Sequence, residues 1–73
     1  MYLHRTEASK RLAAGKAVFA SYYDVNERKQ IRVEVKDIID RGYGNYAIVS
    51  ESHGVSLAMP WDRIQFSTKY FSY

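Results

Sequence analysis

The 73-residue sequence contains no cysteine, one proline and four glycines. Without cysteine the chain can form neither a disulfide bond nor a thiolate metal site. Its apolar runs, such as the one at 17–20, span only a few residues, whereas a transmembrane helix needs roughly 20. Residues 1–7 also lack the apolar region of a signal peptide. We therefore expect a cytoplasmic protein that does not bind membranes.

Enzyme motifs are missing as well. The chain has no phosphate-binding loop and no dinucleotide-binding glycine motif, and His4 and His53 lack a metal-ligand spacing. Ser50 and Ser52 lie close to His53, but neighbours in a turn do not make a positioned catalytic triad. A chain of this length buries only about 60% of its surface, which leaves little room for a walled pocket. The sequence thus predicts a non-enzymatic protein with no cofactor, no metal and no small-molecule substrate.

What is present indicates one folded domain, residues 1–73. Hydrophobic residues make up 47% of the chain and charged residues 26%, as in ordinary globular domains. The first predicted element is a short helix over residues 6–15. Thr6 would cap its N-terminus, Glu7 would lie favourably in the first turn, and Gly15 would end it in a left-handed conformation.

From residue 17 onward the apolar pattern changes to the alternation of β-strands. Ile31, Val33 and Val35 alternate with polar residues most regularly, which predicts a strand with one face on the core and one in solvent. Ile38 and Ile39 interrupt the alternation, and we expect a bulge or bend there that lets one strand serve two halves of a curled sheet. The predicted strands cover residues 17–23, 30–36, 46–52, 55–59 and 65–70, with a 3₁₀ turn at 61–64 and a tail at 71–73.

The connections between these strands are too short for the crossovers of a parallel sheet. A small antiparallel sheet gains by closing on itself, because closure removes exposed strand edges. We therefore predict a mainly β (α+β) fold. It consists of a short N-terminal helix followed, over residues 17–70, by a five-stranded antiparallel barrel of the SH3-like or Sm-like kind.

Two groups of small barrels resemble this layout. Residues 19–64 are similar to the Sm-fold module of the WYL type. The shared features are an aromatic strand with an acidic turn at 22–24, a basic alternating strand at 28–36, the strand Gly-Asn-Tyr-Ala-Ile-Val at 44–49 and a closing Asp-Arg-Ile at 62–64. The short helix and the strand start at 62–67 also resemble the Rof-type Rho-binding antiterminators. The resemblance implies a free-standing barrel that modulates transcription machinery, as bacterial or phage regulators do.

The net charge of +3 conceals an asymmetry. Residues 1–36 hold eight Lys/Arg and four Asp/Glu, a net of +4, and residues 37–73 hold three and four, a net of −1. If the helix packs beside the first two strands, its cations and those of the second strand form one basic face. Exposed aromatic residues would add contact area of the kind that dominates protein interfaces. The predicted partner-binding residues are Arg5, Lys10, Arg11, Lys16, Arg32, Tyr43 and Trp61.

Several alternatives stay open for this surface. The leading hypothesis is a protein partner, and the resemblance implies a component of the transcription machinery such as RNA polymerase or a termination factor. The second is RNA or single-stranded nucleic acid, whose phosphates would favour basic residues. An ordinary solvated face is the third. The aromatic residues, including those at 70–73, could pack on the barrel itself and contact no partner. The oligomeric state is left open. The predicted nucleic-acid contacts are Arg28, Lys29, Arg32, Lys36, Arg41 and Tyr43.

Overall fold

The structure, a computed structural model, describes residues 2–69 and is mainly β with one short helix. Met1 and residues 70–73 lie outside the described residues, and with them the predicted tail at 71–73 and the end of the last predicted strand. In chain order the elements are β1 (Tyr2–Leu3), α1 (Arg5–Ala13), β2 (Phe19–Asp24), β3 (Lys29–Glu34), β4 (Asp37–Gly42), β5 (Asn45–Ser50), β6 (Gly54–Val55), β7 (Met59–Pro60), a 3₁₀ turn (Trp61–Arg63) and β8 (Gln65–Ser67).

Helix α1 is capped at the residue before its start. His4 is the N-cap, and its Nδ1 accepts a hydrogen bond from the amide of Thr6 over 3.3 Å. The prediction that Thr6 caps the helix is wrong, because Thr6 already lies in the first turn. The predicted C-terminal stop is confirmed: Gly15 has φ 75° and its amide donates to the carbonyl of Leu12 over 3.0 Å. This bond belongs to the pattern that ends many helices at a left-handed glycine.

The strands form two antiparallel sheets that are not closed into the predicted five-stranded barrel. The first sheet has the order β1-β8-β2-β3. In the second, β4 pairs with one edge of β5, and β6 and β7 follow one another along the other edge. The strand β1 was not predicted, and the single strand expected at 55–59 is two short ones. The predicted 3₁₀ turn is confirmed at Trp61–Arg63.

The bend between β3 and β4 joins the two sheets. The amide of Val35 donates to the carbonyl of Val18 in the first sheet over 2.8 Å, and the amide of Lys36 donates to Val49 in the second over 2.7 Å. One continuous stretch of chain therefore serves both sheets, as expected. The bend lies at Val35 and Lys36 and not, as predicted, at Ile38 and Ile39. Those two residues lie within β4 and pair regularly with β5.

The core lies between the two sheets, and α1 covers one end of it. Ala8 of the helix is fully buried, and Leu12 packs against the same cluster from the next turn. The helix packs on β8. No helix among residues 2–69 has the length and apolar character needed to cross a membrane. The buried core residues are Ala8, Val18, Ala20, Tyr22, Ile31, Val33, Val35, Ile48, Ile64 and Phe66.

Candidate functional site

The turn between β4 and β5 carries the most exposed large hydrophobic side chain of the described residues, that of Tyr43. Gly42, Tyr43 and Gly44 all have positive φ angles, of 86°, 56° and 76°. A register shift after Asp40 brings the chain into this turn, and the Asp40 carboxylate accepts a hydrogen bond from the amide of Gly42 over 2.8 Å. Glycine adopts positive φ without strain, whereas a residue with a Cβ atom is strained by roughly 1–2 kcal/mol.

Tyr43 and Gly44 are the two loop residues of the hairpin that joins β4 to β5, since Gly42 pairs with Asn45. The favoured two-residue hairpin turns need positive φ at both positions, which explains the backbone conformation of Tyr43. Its exposure of 104% shows that the phenol ring packs on no other part of residues 2–69. The expected exposure of Tyr43 is thus confirmed, and the ring is available for a contact outside the described residues.

Two other predicted partner-binding residues lie beside this turn. The amide of Trp61 donates to the carbonyl of Gly44 over 3.3 Å, and the indole is 44% exposed. The ring of His4 lies 5.0 Å from the Trp61 ring, at 54° to it. The guanidinium of Arg5 lies 4.7 Å from the ring centroid of Tyr46, a cation–π contact. We name this group, made of Arg5, Tyr43 and Trp61 with His4 and Tyr46 beside them, the Tyr43 edge.

The remaining predicted partner-binding residues lie elsewhere. Lys10 and Arg11 lie in the last turn of the helix and Lys16 follows its end, and the helix rises about 1.5 Å per residue away from Arg5. The guanidinium of Arg11 donates to the carbonyl of Ala17 over 3.3 and 3.4 Å. This contact ties the helix to the chain that follows it, so Arg11 already has a structural role.

Arg32 lies in β3 and pairs with Ser21 of β2. It alternates along β3 with the buried core residues, so it lies on the opposite face of the strand from them. The helix packs on β8, away from this position. The main contact of the helix is thus with β8, and not with β3, which carries Arg32. Among the predicted partner-binding residues, backbone and ring contacts connect the segments of Arg5, Tyr43 and Trp61, through Tyr46, Gly44 and His4.

The predicted nucleic-acid contacts are spread along the bent strand pair. Arg28 and Lys29 lie at the β2–β3 turn, and Arg41 and Tyr43 lie at the β4–β5 turn. The two turns are separated by β3, the bend and β4, and each six-residue strand is about 20 Å long. Lys36 lies at the bend, with its Nζ 3.9 Å from Glu34 Oε1. These residues do not form one continuous basic surface.

A cleft that sequence reasoning missed lies between the β2–β3 turn and the segment that follows β5. It has a volume of about 480 Å³ and is lined by residues 22–27 and by His53 with residues 55–59. Its walls are thus the β2–β3 turn and the segment that carries β6 and the start of β7. We name it the Tyr22 cleft. The available signal was an apolar residue in a predicted turn, Val25, and one in the strand predicted at 55–59, Leu57, but their meeting depends on the tertiary fold.

Tyr22 supplies a buried polar group to this cleft. The residue is 1% exposed, and none of the described residues forms a hydrogen bond with its hydroxyl. A buried polar group without a partner costs about 1–3 kcal/mol. Burial raises the pKa of the Tyr22 phenol, and the negative charges of Asp24 and Glu27 raise it further. The phenol therefore keeps its proton to a higher pH than a tyrosine in water does.

His53 connects the two walls of the cleft. Its Nε2 lies 3.0 Å from Oε2 of Glu27, and its Nδ1 lies 3.4 Å from Oγ of Ser52. The second distance exceeds the roughly 2.6–3.2 Å of an activated nucleophile, and Ser52 does not line the cleft. Ser50 accepts a hydrogen bond from the amide of His53 over 3.2 Å and so serves the turn. The serines near His53 are not arranged as a nucleophile facing the cleft.

Within residues 2–69, no group of three or more His, Asp or Glu side chains is placed to hold a metal ion. Comparisons of the chain with protein-family models, with curated proteins and with solved structures give no match.

Proposed function

We propose that this protein is a non-enzymatic binding protein that contacts a protein partner through the Tyr43 edge. The observation that carries the proposal is the conformation of Tyr43: a tyrosine with φ 56° and a fully exposed ring. Such a side chain lowers the stability of the isolated chain and returns no internal contact. A partner that covers the ring supplies the contact that is missing.

The chemistry of the Tyr43 edge suits a protein interface. Tryptophan, tyrosine and arginine are the residues that contribute most to binding energy at such interfaces. Trp61 is half-exposed beside the turn, and Arg5 is held on the Tyr46 ring with its donors available to an acidic group. The proposal that this partner is a cytoplasmic component of the transcription machinery, such as RNA polymerase or a termination factor, rests on the resemblance of the sequence to small transcription-modulating barrels.

RNA or single-stranded nucleic acid is the alternative partner. Arg41 and Tyr43 lie two positions apart in the sequence at the β4–β5 turn, and a tyrosine ring can stack on a base. Arg28 and Lys29 lie at the opposite turn, so a strand bound at Tyr43 would not reach them along one surface. The experiment below separates the two partner classes.

Site-specific photo-crosslinking tests the proposal. A photoreactive phenylalanine analogue at position 43 is compared with the same analogue at Glu51, which is exposed in the β5–β6 turn. We expect a protein adduct from position 43 that survives nuclease treatment, is not formed from position 51, and is competed by the unlabelled protein but not by its Tyr43→Asn variant. A nuclease-sensitive adduct would favour nucleic acid, and equal adducts from both positions would contradict a site at the Tyr43 edge.

A further inference from the structure

The outer edge of β3 has no neighbouring strand among residues 2–69. β3 is the last strand in the order β1-β8-β2-β3, and six residues in a strand span about 20 Å. The amide of Val35 donates to Val18 on the side of β2, whereas the amide of Lys36 donates to β5 on the opposite side. Backbone groups alternate in direction along a strand, so the amides of Gln30 and Glu34 point away from β2, as that of Lys36 does. No residue among 2–69 accepts a hydrogen bond from either of these two amides.

The outer edge of β4, the corresponding strand of the second sheet, is closed by its own side chains. The backbone groups of Ile48 bond Ser56 on the side away from β4, so those of its pair Ile38 point away from β5. The amide of Ile38 donates to Oδ1 of Asp37 over 2.8 Å. Local bonds and charges of this kind protect a sheet edge from pairing with another chain. The side chain of Gln30 bonds the adjacent strand β2 instead, so the edge of β3 lacks this protection.

The side chains of β3 restrict how a second copy of the strand can pair with it. Ile31 and Val33 face the core and the residues between them face solvent, so an antiparallel copy must oppose residues of the same face. A two-fold axis at Gln30 or Arg32 places arginines opposite one another, which destabilises a strand pair. An axis at Val33 directs the start of the second β3 into β5, because β5 occupies this edge from Lys36 onward.

An axis at Ile31 avoids both conflicts and brings opposite charges together. It places Arg28, the residue before β3, opposite Glu34 of the second copy, and by symmetry this pair occurs twice. Both side chains are exposed, and Glu34 Oε1 lies only within 3.9 Å of Lys36 Nζ in its own chain. Opposite charges directly across two strands stabilise their pairing. The edge is thus complementary to itself in one register.

We propose that two copies of this chain pair antiparallel through β3, around a two-fold axis at Ile31, and so join their first sheets into one. The outward amides of Gln30 and Glu34 donate to the second copy in this dimer. The inference does not rest on the function proposed above, because β3 carries none of the residues of the Tyr43 edge.

Sedimentation equilibrium of the full chain over a range of concentrations tests the dimer and its register. Arg28→Glu and Glu34→Arg should each weaken the dimer by about tenfold, because two ion pairs become two contacts of like charge. The double variant, which exchanges the two charges, should restore the dissociation constant to within about threefold of the parent value. Lys16→Glu, which makes the same change in net charge beyond the helix, should leave it within about twofold.

Amide hydrogen exchange followed by NMR locates the contact. With rising protein concentration the amides of Gln30 and Glu34 should become protected, whereas that of Asp40, on the outer edge of β4, should not. A chain that sediments as a monomer up to millimolar concentration would overturn the inference. So would a double variant that dimerises no better than the single ones, a loss in Lys16→Glu as large as in Arg28→Glu, or protection that appears at β4 and not at β3.

Discussion

The amide of Trp61 donates a hydrogen bond to the carbonyl oxygen of Gly44 over 3.3 Å. This bond ties the 3₁₀ turn to the β4–β5 turn, so the two segments that carry Trp61 and Tyr43 are joined through their backbones. The pairing of Asn45 with Pro60 continues the contact into the sheet. The indole of Trp61 itself lies against the ring of His4, with 5.0 Å between the ring centroids.

The two ends of the helix should differ in their importance for binding. Arg5 lies on the Tyr46 ring at the Tyr43 edge, and Lys16 lies beyond the other end of α1. We expect Arg5→Ala to lower the yield of the position-43 adduct by about two- to fivefold, the size of one exposed ion pair with an acidic group of the partner. Lys16→Ala removes the same charge and should leave the yield within error. A larger effect of Lys16→Ala would instead favour the basic helix end as the site.

The bend between the sheets predicts an unusual pattern of hydrogen exchange. The side chain of Lys36 is exposed, but its amide donates to Val49 over 2.7 Å. We expect this amide to exchange about as slowly as that of Val35, because both open only when a sheet is disrupted. Amide exchange followed by NMR checks this. Exchange of Lys36 at the rate of the exposed turn residues 51–53 would show that the two sheets are not joined at this point.

Tyr22 should make the protein less stable at alkaline pH. The phenol keeps its proton in the folded state to a pH above its ordinary pKa of 10.0, while the unfolded chain loses it near that value. The stability is therefore complete below about pH 10 and falls as the pH rises from there toward the higher folded-state pKa. Tyr22→Phe abolishes this fall. The measurement is the difference in free energy of unfolding between the two proteins at pH 8 and pH 11.

At neutral pH the same substitution should leave the stability unchanged or raise it by up to about 1 kcal/mol, since it removes a buried hydroxyl without a partner. Tyr23→Phe, which alters an exposed phenol on the adjacent residue, is the matched control. A loss of about 1 kcal/mol or more in Tyr22→Phe alone would mean that the hydroxyl is bonded within the fold.

The local features of the fold could be predicted because they depend on neighbouring residues. Gly15 ends the helix, Ile31 and Val33 face the core, and the 3₁₀ turn follows Pro60, each for a reason that is visible within a few residues of sequence. The position of the bend could not be predicted in this way. It is set by hydrogen bonds from Val35 and Lys36 to partners in two different sheets.

The candidate sites also divide into features that neighbouring residues determine and features that the tertiary fold determines. The Gly-Tyr-Gly sequence predicts an exposed tyrosine, and Tyr43 is exposed. The Tyr22 cleft depends on two turns that are distant in the chain and meet through His53 and Glu27, 3.0 Å apart. The predicted basic face depends on the tertiary fold in the same way, because the alternation places Arg32 on a strand face but does not state where the helix will pack.

The measurement that tests the central claim most directly is the stability of Tyr43→Asn, since asparagine tolerates the left-handed conformation better than tyrosine does. Chemical denaturation should show a free energy of unfolding equal to that of the parent chain or higher by up to about 1 kcal/mol, while the position-43 contact with the partner is lost. A variant that is less stable by about 1 kcal/mol or more would contradict the account, because the tyrosine ring would then stabilise the chain itself.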